Sequence, residues 1–507
     1  MAAAAAAGAM SEARLAAATL LARLAREGAP VHRITSDSRA VVSGDAFAAY
    51  PGETRDGRAF IPDALQRGAG SVLWEEAGFD WPAAWQRPNR AVPNLRQELG
   101  FIAANVYRHP SQQMWTVGVT GTNGKTSCAH WIAHGLTAVG RTAAVAGTLG
   151  NGLIGATDPS LNTTPDAAAL QEMLRRWKDA GARGVAMEVS SHGLLQGRLN
   201  GMKFDVALFT NLTRDHLDYH GTMEAYRAAK ARLFDWPTLQ SAVINADDAF
   251  GRQLIAGCRK RGVSVLAYGQ STGDISTRSL GIGVDGIAAT VVTPWGEAEF
   301  KSPLIGAFNV SNLLGVLGVL LASGVPLDSA IAQLARLEPV AGRMQKVGGG
   351  KQPLVVVDYA HTPDALEQVL VALRPVAASR NGRLIVVFGC GGDRDPGKRP
   401  QMGAIAGRLA DGVVVTSDNP RSEDLDAIIA QIVAGTGAGT GAARATVSHI
   451  AARAVAIAET IAAATDNDTI LIAGKGHEPY QEITGIRHPF SDLEHARAAL
   501  GQWRPRC

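Results

Sequence analysis

The segment Gly121-Thr122-Asn123-Gly124-Lys125-Thr126, with Ser127 behind it, has the residue types and spacing of a phosphate cradle. The β-branched run ahead of it, from Thr116 to Thr120, reads as a buried strand, and an amphipathic helix follows. Glycines let the backbone fold tightly enough for successive N–H groups to face one anion. Lys125 adds a mobile positive charge, and the Thr126 hydroxyl can hold Mg²⁺ beside the β- and γ-phosphates. ATP or GTP is the guest such chemistry expects. The strict P-loop pattern wants glycine five positions before Gly124, where this chain has Val119, so the match is a variant. A plain strand-to-helix turn is the rival reading.

Phosphoryl transfer needs a divalent metal near the terminal phosphates, held by oxygen or imidazole ligands at strand ends. Glu188, in Val185-Ala186-Met187-Glu188-Val189, and His216, in Thr213-Arg214-Asp215-His216-Leu217-Asp218, each follow a strand expected in the sheet of Lys125. A solvated strand end for Glu188 and a helix-cap cluster for His216 compete with the metal reading.

These groups need a scaffold, and 507 residues with 46% hydrophobic content supply about three domains of ordinary size. Residues 11–107 open with a helical pattern (Ala16, Leu20, Leu21, Leu24) and form a small α/β unit with a strand at Ala46 to Tyr50. The loop from Pro51 to Gly57 suits ligand contact, but its composition favours a solvated hairpin. Residues 1–10 are an alanine-rich tail, expected to be disordered or to precede the structured part. In residues 108–338, entered through the linker Arg108-His109-Pro110-Ser111, apolar runs alternate with helical stretches as a parallel sheet requires. Strands are expected at 185–189, 206–210 and 242–245, short alternating strands around 287–300, and a helix from Asn309 to Leu321. Residues 339–507 repeat the logic with strands at 354–357, 384–388, 413–416 and 470–473, a second doubly wound sheet. Ligands sit beyond the carboxyl ends of such strands, where Asp358, Gly389 to Arg394, Asp418 to Arg421 and Gly474 to Glu478 fall. Arg394 occupies the third-glycine position after Gly389, so no dinucleotide fingerprint is present, and 434–442 reads as a flexible loop.

A net charge of +3 from 49 basic and 46 acidic residues, with no long basic block, argues against a nucleic-acid partner. Cys128, Cys258, Cys390 and Cys507 are far apart and fit reduced thiols. No signal-peptide pattern and no apolar stretch of about 18 residues is present, so no membrane insertion and a cytoplasmic location are expected.

The cradle is followed, in order, by Asn211-Leu212-Thr213-Arg214-Asp215-His216-Leu217-Asp218-Tyr219-His220, Gly306-Ala307-Phe308-Asn309-Val310-Ser311-Asn312, Asp358-Tyr359-Ala360-His361-Thr362-Pro363 and Gly474-Lys475-Gly476-His477-Glu478. In this series the chain resembles the Mur ligases of peptidoglycan synthesis, from about Thr35 to Arg497. The resemblance implies three α/β domains: an N-terminal uridine-nucleotide-binding domain, a central P-loop ATPase-like parallel sheet and a C-terminal Rossmann-like amino-acid-binding domain. It implies that Lys230, in Tyr226-Arg227-Ala228-Ala229-Lys230, is carbamylated by CO₂. It would then share a second Mg²⁺ with Glu188 and His216. Without the resemblance Lys230 reads as a surface helix lysine.

By the same resemblance Asn312 lies near adenine, Asp358 near the ribose, and Arg343 and His361 near the nucleotide across a domain junction. The uridine-nucleotide peptide falls to Ser36, Ser38, the Glu53-Thr54-Arg55 loop, Asn162, Thr163, Thr164, Ser190, Gln196 and Arg198, the 53–55 triplet being the weaker match. Asp418-Asn419-Pro420-Arg421 selects the amino acid, with Arg394, Gly474 and Glu478. Arg421 can pair bidentately with the second carboxylate that separates diaminopimelate from lysine. As four residues alone this is equally an exposed turn. The implied reaction is ATP-dependent addition of meso-diaminopimelate to UDP-N-acetylmuramoyl-L-alanyl-D-glutamate by a monomer, through an acyl phosphate. A lysine-adding homologue, a folylpolyglutamate-type ligase and a nucleotide-dependent switch are the alternatives.

Overall fold

A computed structural model describes residues 2–160, 162–437 and 445–505. The first element is a helix over Ala2–Arg26. The alanine-rich start is therefore helical where a disordered tail or an unstructured lead-in was expected, in keeping with alanine's helix propensity. Behind it lies a four-stranded parallel sheet in the order Ile34–Thr35, Ala46–Ala49, Ser71–Glu75, Asn89–Val92. Leu24 of the first helix and Leu95, Leu99 and Ile102 of the helix Leu95–Val106 bury one face of this sheet. Phe47, Val72 and Trp74 point from the strands to the other face, where Ile61 and Ala64 of the helix Ile61–Gln66 pack with them.

The central sheet has eight strands, ordered Ser264–Tyr268, Ser241–Asn245, Val206–Phe209, Trp115–Thr120, Gly184–Glu188, Ala143–Gly147, Gly150–Leu153, Ala156–Asp158. The first six are parallel and the last two return as an antiparallel meander. The strand leading into the cradle is thus flanked on both sides, and both faces are apolar, as a buried parallel sheet requires. The helices Lys125–Ala138 and Ala307–Ala322 cover one face. The short strands expected near 287–300 form a three-stranded antiparallel sheet, Ser276–Gly283, Gly286–Thr293 and Gly296–Ser302.

The last sheet has six strands, ordered Gln345–Gly348, Leu354–Asp358, Thr469–Ala473, Leu384–Phe388, Gly412–Val415, Thr446–His449, the first antiparallel and the rest parallel. Helices Pro363–Ser379, Lys398–Leu409 and Leu425–Thr436 pack on one face, Arg453–Ala463 and Asp492–Gln502 on the other. The loop expected over 434–442 begins inside the helix that ends at Thr436; its remainder, 438–442, lies outside the described residues. No described helix is long and apolar enough to cross a membrane.

Candidate active site

The cradle depends on two glycine positions. Gly121 has φ +149 and a Cβ there would lie 1.9 Å from Thr210 Oγ1; Gly124 has φ +85 and a Cβ would lie 2.5 Å from Asn312 Oδ1. Any side chain at either position would force the turn apart. The helix Lys125–Ala138 starts directly after Gly124, so its unsatisfied N–H groups face the cradle. The Asn123 N–H is oriented by Asn211 Oδ1 at 2.9 Å. Lys125 Nζ donates to the carbonyls of Gly121 (3.0 Å) and Thr122 (2.8 Å). Burial pushes its ammonium below the usual lysine range, against the opposing charges of Glu188 and Asp215.

Glu188 ends its strand rather than following it, and only 1% of it is exposed. Its Oε2 accepts from the Thr126 hydroxyl at 2.9 Å, and its Oε1 accepts from the Thr148 N–H at 2.7 Å. Lys230 is also 1% exposed; its Nζ donates to Gly121 O at 2.7 Å and lies 4.3 Å from the Tyr226 ring centroid. It is not a surface lysine. Burial first, and the charge of Lys125 second, drive its ammonium well below the ordinary range. His216 adopts φ +54, beside Asp215 (Nε2 to Oδ2 3.4 Å), and burial holds its imidazole below the usual value. Thr126 and Glu188 are hard oxygen donors of the kind Mg²⁺ takes. Lys230, donating to Gly121 O, offers no oxygen to a metal, whereas a carbamate on it would. Among the described residues no three of His, Cys, Asp and Glu are grouped to hold a metal.

A cleft of about 400 Å³ is lined by residues 122–127, Thr163, Glu188, His216 and Asn312 from the central domain and by Arg343, Asp358 and His361 from across the junction. That volume is in the range of small-molecule sites, about 300–1,000 Å³. Arg343 Nη2 reaches Thr126 Oγ1 at 3.3 Å, and Asn123 Nδ2 donates to Asp364 at 3.0 Å. Asp358 is 6% exposed and accepts from the N–H groups of Met344 and Ala360 at 2.7 and 2.8 Å. Burial raises its carboxyl above the usual range. His361 Nδ1 bonds Tyr359 O at 2.8 Å, and its Nε2 lies 3.9 Å from Asp215.

The residues assigned to the nucleotide peptide divide. Glu53, Gln196 and Arg198 line a second pocket of about 180 Å³ together with Tyr50, Arg96 and Asp166, which the sequence reading missed. Arg96 Nη2 pairs with Glu53 at 2.5 Å, and Arg198 Nε donates to Gln196 at 2.9 Å. Thr164 and Ser190 line neither cavity; the Thr164 hydroxyl lies 3.0 Å from both Glu188 O and Ser190 Oγ, and the Thr164 carbonyl accepts from Arg198 Nη1 at 2.7 Å. Ser36 and Ser38 lie at the turn after the first strand. Thr54, Arg55 and Asn162 are exposed and outside both linings, so the structure does not bring them to the site.

At the carboxyl ends of the last sheet Asp418, Asn419, Pro420, Arg421, Gly474 and Glu478 come together. Asn419 Nδ2 donates to Glu478 Oε2 at 2.9 Å, and a Cβ on Gly474 would lie 2.5 Å from Asp418 Oδ2. Arg421, at φ +53, donates through Nη1 to Gly392 O at 2.6 Å. Arg394 reaches Asp218 of the central domain at 3.3 Å, and Arg214 reaches Asp395 at 3.0 Å. Both pairs cross the domain junction. Lys475, quoted in the sequence motif but given no role, is fully buried here. Thr148 was missed because its glycine-rich surroundings carry little strand signal.

A nucleotide cradle facing a second α/β domain, with a separate pocket toward the N-terminal domain, defines a substrate-joining enzyme of three domains. The chain belongs to the Mur ligase family, whose members are ATP-dependent, ADP-forming ligases that require Mg²⁺. It matches the Mur ligase family catalytic domain over residues 30–107, the middle domain over 119–320 and the glutamate ligase domain over 342–476. It is 53% identical to the UDP-N-acetylmuramoyl-L-alanyl-D-glutamate–2,6-diaminopimelate ligase of Chromobacterium violaceum, over 94% of this chain and 96% of that one. The enzyme of the same name from Pseudomonas aeruginosa is 52% identical over 93% and 96%. A solved structure of a ligase of this name is 38% identical, with a TM-score of 0.65, covering 93% of this chain and 95% of that chain.

Proposed function

We propose that this enzyme joins meso-diaminopimelate to the γ-carboxylate of UDP-N-acetylmuramoyl-L-alanyl-D-glutamate at the expense of ATP. The observation that supports this best is the single cleft in which the cradle and Glu188 face Arg343, Asp358 and His361 of the neighbouring domain. Domains 11–107, 108–338 and 339–507 then divide the work among precursor, nucleotide and amino acid. The enzyme acts in the cytoplasm as a monomer.

The γ-carboxylate oxygen attacks the terminal phosphorus and ADP leaves, giving an acyl phosphate. The free amine attacks the acyl carbon, phosphate departs, and the nitrogen loses one proton as the amide forms. Cradle N–H groups and Lys125 hold the transferring oxygens, since positioning and charge stabilisation are most of what the protein must supply. Mg²⁺ held by Thr126, Glu188, His216 and a carbamate of Lys230 would neutralise the triphosphate charge. The depressed Lys230 ammonium favours the neutral amine that CO₂ addition consumes, its nitrogen forming the N–C bond and releasing a proton. Arg343 stands beside Thr126 to meet charge from the other domain, and closure across the Arg214 and Arg394 pairs keeps water from the acyl phosphate. Gln196 and Arg198 suit the precursor's carboxylates, and Arg421 the far carboxylate of the amino acid.

The test is an assay of purified enzyme with ATP, Mg²⁺ and the UDP-dipeptide against a panel of diamino acids, following phosphate and product mass. Meso-diaminopimelate should give the highest kcat/KM and a product heavier than the precursor by one diaminopimelate less one water. Preference for lysine, or phosphate release without a joined product, would overturn the reading.

A further inference from the structure

We propose that Lys475 is a positioning residue of the amino-acid end. It fixes the orientation of the Asn419 amide and holds Glu478 so that one carboxylate oxygen stays open for the far ammonium of the incoming diamino acid. The inference rests on the assignment of Asn419 and Glu478 to that substrate.

Lys475 follows Gly474, which at φ +113 turns the chain off the strand Thr469–Ala473, and it is 0% exposed. A buried ammonium must be matched by acceptors. Lys475 Nζ donates to Asn419 Oδ1 at 2.9 Å and to Glu478 Oε2 at 3.0 Å, with Asp418 Oδ1 at 4.0 Å. The backbone N–H of Glu482 also donates to Asn419 Oδ1, at 2.9 Å. A reversed amide would turn its NH₂ group toward two donors, so the oxygen is held where it is. The amide nitrogen is thereby aimed at Glu478 Oε2, 2.9 Å away. That oxygen accepts from both Lys475 and Asn419, while Oε1 meets only the Tyr359 hydroxyl, at 3.3 Å, among the described residues. Lys475 therefore saturates one edge of the carboxylate and leaves the other for a ligand donor. Lys475 meets Glu478 only at Oε2 and stays 4.0 Å from Asp418, so Glu478 Oε1 is the carboxylate oxygen left to take a substrate ammonium. Arg421 has no ion-pair partner among the described residues and can take the carboxylate on the same carbon. An end carrying both an ammonium and a carboxylate is what this arrangement recognises.

The experiment measures KM for all three substrates in Lys475→Met, Lys475→Gln and Glu478→Gln, and in the Lys475→Met/Glu478→Gln double variant. KM for meso-diaminopimelate should rise at least about tenfold in Lys475→Met, with KM for ATP and the UDP-dipeptide within about twofold. Lys475→Gln, still able to donate to Asn419, should fall between. In the Glu478→Gln background the Lys475→Met step should cost far less, because the two residues act as one unit. A fall in kcat with all three KM values unchanged, or strictly additive losses, would overturn the proposal. If both Lys475 variants lose the ATP-dependent rise in Tm, the residue holds the fold and the proposal is equally overturned. An unchanged KM for meso-diaminopimelate in Glu478→Gln alone would instead show that the amino-acid end itself is misassigned.

Discussion

At the cradle, Lys125 and Lys230 donate to the main-chain carbonyls of Gly121 and Thr122 and form no ion pair among the described residues; at the amino-acid end Lys475 meets Glu478 and lies near Asp418. Carbonyl partners leave Lys125 free to turn toward a triphosphate and leave Lys230 as the amine that a carbamate needs. Mixed charges in the second suit a zwitterion, whose two signs must each find a partner. The two regions differ also in what lies beneath them. Behind the amino-acid end Arg453 and Asp492, both fully buried, pair at 2.7 Å, and Arg453 also donates to Ser417 O and Ala473 O. It thereby ties together the two strand ends that carry 418–421 and 474–478.

The sharpest break in this contrast comes from Lys230→Ala. Ligation should fall by about a thousandfold or more and return partly with small carboxylic acids that stand in for the carbamate, followed by phosphate release. Full activity in the plain variant would remove the metal role. Asp492→Ala should lower stability by about 3–5 kcal/mol, read as a reduced midpoint in urea, because it leaves Arg453 buried without its partner. An unchanged midpoint would mean that the pair does not brace the amino-acid end. Arg421→Ala should raise KM for meso-diaminopimelate by an amount worth about 2–5 kcal/mol, leaving lysine almost unaffected. Equal losses for both amino acids would refute selection by the far carboxylate. Arg214→Ala removes a half-exposed cross-domain pair and should change kcat by no more than about fivefold, since such pairs are worth about 0.2–1 kcal/mol. A larger loss would mean that closure depends on that pair.

The cradle was legible because its backbone geometry admits only glycine at 121 and 124 and because a β-branched strand precedes it. The parallel sheets were legible in their apolar runs, yet the strand Ala143–Gly147 and the antiparallel return after it were not, since alanine and glycine carry little β signal. Lys230 was assigned through resemblance alone, although Tyr226, Ala229 and Lys230 share the buried face of the helix Met223–Ala231 at i, i+3 and i+4. A lysine interrupting that face was the missed sign. Tyr50, Arg96 and Asp166 were invisible for another reason. They come from separate strands, helices and caps, and only the packing of the N-terminal domain on the central one gathers them around Glu53 and Arg198. Lys475 sat inside a quoted motif, but its partner Asn419 lies 56 residues earlier in the sequence.

The central claim is that the γ-carboxylate of the precursor receives the phosphoryl group before the amine arrives. Precursor labelled with ¹⁸O in that carboxylate, turned over with ATP and meso-diaminopimelate, measures it directly by the mass of the phosphate released. One labelled oxygen per phosphate is expected; unlabelled phosphate alongside a correctly joined product would contradict the account.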